Sequence, residues 1–203
     1  MGGDGERTLR IGVLISGSGT NLQSLIDGPH VDATCPAKIV LVLSNRADAQ
    51  GLARAQAADI PQLVVDHRHR SREDFEDELI IQLDEAKVGL VVLAGFMRIL
   101  TARFVNHYRG RLINTHPALL PAFPGMHAVR QALAAEATMT GCTIHWVTTG
   151  VDAGPTIRQA SVPIEPGDDE NILHRRILAQ EHRLLPQVVR DIAEGRVVCP
   201  PEG

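Results

Sequence analysis

The sequence is poor in four things, and each shortage removes a class of protein. Aromatic side chains make up only 3% of the 203 residues. So few rings cannot build a stacking platform for single-stranded nucleic acid or an aromatic-cored sandwich, and the core has to be aliphatic. Lysine is nearly absent: of the 20 basic residues only Lys38 and Lys87 are lysines, and the remaining 18 are arginines. Against 24 acidic residues the net charge is -4, and no basic block is long enough to neutralise a row of phosphates. Nucleic acid is therefore not expected as a partner. A cation set made almost wholly of arginine favours carboxylate and phosphate ligands, which the planar guanidinium grips as a fork.

Cysteine is the third shortage. Cys35, Cys142 and Cys199 are odd in number and lack CxxC spacing, so neither a disulfide framework nor a zinc ribbon follows, and a reducing cytoplasm is the expected compartment. No metal site is expected. The fourth shortage is of long apolar runs. The longest, such as Ile39 to Leu43 and Leu90 to Ala94, have strand length, far below the roughly 20 residues of a membrane span. Met1 to Thr8 are polar, without the apolar segment of a signal peptide, and Glu6 stands where a myristoylation signal wants Ser or Thr. No membrane association is expected.

What is present is a chain with 44% hydrophobic residues, enough for a sizeable core in one domain. Short apolar runs alternate with helical stretches. Leu9 to Ile15 is followed by a helix from about Thr20, and Lys38 to Ser44 by a helix from Asp48 to Ala58. Gln62 to Val65, a capped helix Ser71 to Glu85 and a strand Val88 to Ala94 continue the alternation. A short helix near Thr101 to Tyr108 and a strand Arg111 to Thr115 come next. Then comes a loop stiffened by Pro117, Pro121 and Pro124, two strands, Thr143 to Val147 and Thr156 to Val162, and a closing helix from Asp169 to Ile192. Continuous apolar strands alternating with helices predict a single α/β domain, a mostly parallel twisted sheet covered by helices on both faces. Residues 1–8 read as a disordered extension to it.

Three constellations carry chemistry. Ser16-Gly17-Ser18-Gly19-Thr20-Asn21 lies between the first strand and the first helix, where glycines let backbone N–H groups approach an anion. It is neither GxGxxG nor a P-loop, since no Lys is present, and a plain turn capped by Ser18 or Thr20 is the alternative. Asn114 and His116 sit two apart at the end of the fifth strand, so they share a face at the edge where open α/β sheets bind ligands. A carboxamide and an imidazole there can both donate to an oxygen gaining charge, or they can serve as structural caps. Asp152, in the turn Thr148 to Pro155, is either the carboxylate that orients that imidazole or a turn-former. His67 and His69 read as solvated loop, and His145 and Trp146 as packing residues.

Taken together the motifs resemble the folate-dependent glycinamide ribonucleotide formyltransferases of purine biosynthesis, over nearly the whole chain after Leu9. The likeness rests on Ile15 to Asn21, Leu93 to Leu100, Asn114 to Pro121, Asp152 to Pro155 and Gln180-Glu181-His182, in that order and spacing. It implies a Rossmann-like formyltransferase fold, 10-formyltetrahydrofolate as co-substrate, no metal, and a monomer or homodimer acting on small molecules. It also implies roles: Asn114, His116 and Asp152 as the catalytic three, Gly19, Thr20 and Asn21 as a phosphate cradle, and Glu181 as a ribose contact. Phe96, Met97, Arg98, Ile99 and Leu100, with Val147, Thr148, Thr149, Gly150 and Val151, would wall the folate, and Arg72 with Arg98 would meet its glutamate carboxylates. Ser18 and Thr20 stand where relatives often show Asn and Ser, a swap that keeps small polar side chains. Methionyl-tRNA formyltransferases and formyltetrahydrofolate deformylases share such a core, but the RNA-binding domain of the first and the regulatory domain of the second are not expected here.

Overall fold

The computed structural model describes residues 8–201; of the expected extension the first seven residues lie outside the described residues, and Thr8 is exposed. Seven strands form one sheet: β1 (Leu9–Ile15), β2 (Ala37–Ser44), β3 (Gln62–Val64), β4 (Leu90–Leu93), β5 (Leu112–His116), β6 (Met139–Trp146) and β7 (Thr156–Pro163). Their order is β3-β2-β1-β4-β5-β6-β7. The first five run parallel, while β6 lies antiparallel to β5 and β7 antiparallel to β6. The mostly parallel sheet expected from the alternating runs is present.

Period-two alternation divides the core into two layers. Ile11, Val13 and Ile15 of β1 and Leu90 and Val92 of β4 face one layer, whereas Leu14, Val91 and Leu93 face the other. The first layer is covered by α1 (Thr20–Leu25, continued by a π-helical turn Ile26–His30), α2 (Gln50–Ala57) and α6 (Glu170–Ala193), which contribute Leu22, Leu25, Ala55, Ile177, Leu185 and Val188. The second is covered by α3 (Arg72–Glu85) and α4 (Ala102–His107), through Phe75, Leu79, Leu83 and Phe104. Each fully buried side chain of this kind contributes about 1.5–3 kcal/mol, so the two aliphatic layers account for a stable scaffold without cross-links.

The capped start of α3 is as expected: the Asp74 N–H donates to Ser71 Oγ at 2.9 Å. α4 begins at Thr101, which the buried Glu76 of α3 holds by accepting its backbone N–H at 2.8 Å. Two elements differ from the sequence reading. A helix α5 (Ala128–Ala134) follows the proline-rich loop where no element was assigned, and β6 begins four residues before Thr143. α5 is seven residues long and alanine-rich, too short for a periodic signal, and Gly141 interrupts the apolar pattern of β6.

Candidate active site

The sheet order reverses between β1 and β4, and ligands of doubly wound sheets bind at the carboxyl ends of the strands at such a point. Three segments leave the strands there: the turn Ser16 to Thr20 after β1, the segment Gly95 to Leu100 after β4, and the end of β5. Gly19 is in the left-handed conformation, φ 69°, and a Cβ on it would lie 2.5 Å from Gly51 Cα, so α2 packs backbone to backbone on the turn. Asn21 is buried, and its Nδ2 donates to Glu181 Oε2 at 2.7 Å. What the turn offers an anion at Asn21 is thus the main chain, since the side chain belongs to Glu181. Burial pushes the Glu181 carboxyl up, and the hydrogen bond from Asn21 pulls the other way without cancelling it.

The three residues singled out on β5 and the later turn are brought together. His116 is buried, its Nδ1 stands 3.3 Å from Asp152 Oδ2, and its Nε2 is 2.8 Å from the Phe123 carbonyl. Asp152 is reached by the turn after β6, where it adopts φ 49°, a left-handed conformation that Asp tolerates. The turn closes tightly enough that a Cβ on Gly154 would fall 1.7 Å from the Trp146 carbonyl oxygen. Asp152 Oδ2 also accepts the Gly125 N–H at 2.8 Å. Burial by itself pushes the Asp152 carboxyl up, but hydrogen bonds from His145 and Gly125 and the neighbouring imidazoles outweigh it, holding the group below the usual carboxylate range.

His145 is the residue that the sequence reading placed wrongly. Instead of packing, it completes the cluster: Nε2 lies 3.3 Å from Asn114 Nδ2 and 3.5 Å from Asp152 Oδ1, while Nδ1 contacts the Trp146 carbonyl at 3.0 Å. The antiparallel register sets His145 directly opposite Asn114. The available signal was alternation, since Thr143 and His145 share one face of β6 and Ile144 and Trp146 the other. Trp146 does pack in the core. His67 is also more than solvated loop: it is half-buried, 3.3 Å from Asn45 Nδ2, with its ring edge against Phe75.

The segments expected to wall a folate lie on the same edge of the sheet. Met97, Ile99 and Val151 are 75%, 60% and 56% exposed, an unusual density of bare apolar side chains for so few residues, and such patches mark binding surfaces. Phe96 departs from the expectation. Its ring stacks on Phe75 and packs in the core. Leu100 packs partly into the same layer, as does Val147, whose N–H donates to the Leu112 carbonyl at 2.9 Å. Arg72 opens α3, and neither it nor Arg98 forms an ion pair among the described residues. Among the described residues no group of three His, Cys, Asp or Glu is placed to hold a metal, and no helix is long and apolar enough to cross a membrane.

A doubly wound sheet with a buried carboxamide–imidazole–carboxylate cluster at the carboxyl end of β5, beside the switch point, is an α/β arrangement able to carry transfer of an acyl-type group. Residues 9–189 match the family model described as formyl transferase, and the chain belongs to that family. It is 45% identical over 190 residues to the phosphoribosylglycinamide formyltransferase of Escherichia coli K12, covering 93% of this chain and 89% of that one. It superposes on the crystal structure of glycinamide ribonucleotide transformylase 1 from Symbiobacterium toebii with a TM-score of 0.92 at 47% identity, covering 97% and 92% of the two chains. It is also 48% identical over 199 residues to the trifunctional purine biosynthetic protein adenosine-3 of Drosophila melanogaster, of which it spans only 15%.

Proposed function

We propose that the protein transfers the formyl group of 10-formyltetrahydrofolate to the amine of 5-phosphoribosylglycinamide in purine biosynthesis, with residues 1–203 acting as one formyltransferase domain, a cytoplasmic monomer or homodimer that needs no metal. The observation that carries this reading is the cluster of Asn114, His116 and Asp152 at the switch edge of a formyl transferase fold. The amine nitrogen attacks the formyl carbon, a C–N bond forms, and the formyl oxygen becomes an oxyanion. Asn114 Nδ2 and His116 Nε2 donate to it, Nε2 turning to it from the Phe123 carbonyl 2.8 Å away. Asp152 keeps His116 charged and takes part in moving the amine proton to the folate nitrogen as the old C–N bond breaks.

The ribonucleotide phosphate is assigned to the backbone of Gly19, Thr20 and Asn21, and the ribose to Glu181. The folate lies against Met97 to Leu100 and Val147 to Val151, with Arg72 and Arg98 at its glutamate tail. Incubating the protein with 10-formyltetrahydrofolate, with and without glycinamide ribonucleotide, tests this directly. Loss of formyl-folate only when the ribonucleotide is present supports it. Equal loss without an amine would indicate a deformylase, and transfer to methionyl-tRNA alone a tRNA formyltransferase; either contradicts it.

A further inference from the structure

The backbone ladder between β1 and β4 stops where the Ala94 N–H donates to the Leu14 carbonyl at 2.9 Å. Beyond it the two chains part, one into the turn that begins at Gly17 and the other into Met97 to Leu100. A single hydroxyl spans the gap. Ser16 Oγ accepts the Met97 N–H at 2.8 Å and donates to Asn45 Oδ1 at 2.6 Å. Ser16 and Asn45 are 5% and 3% exposed. A buried hydroxyl has one proton to give, so the Asn45 carbonyl fixes its rotation and turns its lone pairs towards Met97. Asn45 is itself held at the end of β2, its Nδ2 beside His67 Nδ1 at 3.3 Å.

We propose that Ser16, locked by Asn45, is a positioning residue that sets the distance between the two substrate subsites. This rests on the proposed function, in which the turn after β1 holds the ribonucleotide and the segment after β4 holds the folate. Under that reading the attacking amine hangs from one side of the Ser16–Met97 hydrogen bond and the formyl carbon from the other. A shift of about 1 Å between reacting groups can cost on the order of 100-fold in rate, so the link acts on the chemical step more than on either binding event. Neither Ser16 nor Asn45 touches a reacting atom on this account.

The test compares wild type, Ser16→Ala, Asn45→Ala, Ser16→Thr and the double variant Ser16→Ala with Asn45→Ala in steady-state formyl transfer, with rates normalised to folded protein. Ser16→Ala should lower kcat by about 10- to 100-fold at saturation with both substrates. Each KM should change by less than about threefold. Ser16→Thr, which keeps the hydroxyl, should recover most of the rate, and adding Asn45→Ala should cost little more, because the two side chains act as one unit. A rise in one KM with kcat intact would assign Ser16 to a single subsite and overturn the proposal, as would unchanged kinetics or multiplicative losses. A wild type that moves no formyl group to the ribonucleotide refutes the proposed function and this role with it, whereas an active wild type matched by Ser16→Ala refutes the positioning role alone.

Discussion

Two regions at the carboxyl edge of the sheet present their polar groups by opposite means. In the parallel half, the turn after β1 shows mainly backbone: Gly19 at φ 69° against Gly51, with the Asn21 side chain turned away to Glu181. At the seam where parallel β5 meets antiparallel β6, the crevice shows side chains: Asn114, His116, His145 and Asp152 lie within 3.5 Å of one another in a chain of contacts. A turn that presents backbone can exchange small polar side chains such as Ser18 and Thr20, whereas a Cβ added at Gly19 would meet Gly51. A site made of side chains tolerates no exchange of the groups themselves.

The contrast can be broken from either side. The largest effect is expected at Asn114: Asn114→Ala removes an oxyanion donor and should lower kcat by about 10²- to 10³-fold while the protein stays folded, as checked by steady-state kinetics and circular dichroism. A kcat within threefold of wild type would remove Asn114 from the chemistry. Gly19→Ala strikes the other half. Its left-handed conformation costs about 1–3 kcal/mol for a residue with a Cβ, and that Cβ would also meet the Gly51 backbone. The variant should lose ribonucleotide affinity by at least about tenfold and melt at a lower temperature.

Glu181→Gln sharpens the comparison, because Glu181 is the one buried carboxylate serving the backbone half. Its carboxyl is raised by burial, so the cost of ionising it makes the wild type lose stability as the pH rises through that raised value. Glutamine cannot ionise. Glu181→Gln should therefore flatten the melting temperature against pH above the usual carboxylate range, while raising the KM for the ribonucleotide through the lost ribose contact. A variant with the wild-type pH dependence would show that Glu181 is not the group responsible. The smallest effect is expected at Arg72, remote from the reacting atoms: Arg72→Ala should raise the folate KM by about three- to tenfold with kcat nearly unchanged, since its contact is equal in ground and transition states. A large fall in kcat with KM intact would contradict that role.

The fold was legible because the aliphatic runs of β1, β2 and β4 are continuous and strand-length, and because Ser71 caps α3 within the first turn. What escaped was local and tertiary. α5 is too short and alanine-rich to carry a period, and the early residues of β6 are masked by Gly141. In the candidate site, the shared face of Asn114 and His116 was readable from their spacing of two on one strand, but Asp152 was left open as a turn-former, and only the family resemblance joined the three. His145 was not readable, because what places it is a register across two antiparallel strands, and no local pattern records which residues will be opposite one another. The ring contact of Phe96 escaped for a related reason: its partner, Phe75, lies 21 positions earlier.

The central claim is that His116 and Asp152 act as one unit on the transferring formyl group. A double-mutant cycle of Asp152→Asn and His116→Ala in formyl transfer tests it most directly. Asp152→Asn keeps the size of the side chain while removing its charge, and general acid–base assistance is typically worth about 10²- to 10⁴-fold, so kcat should fall within that range with both KM values changed much less. The double variant should then lose far less than the product of the two single losses. Multiplicative losses, or a folded Asp152→Asn protein with near-normal kcat, would contradict the account and leave Asp152 as the residue that shapes the turn.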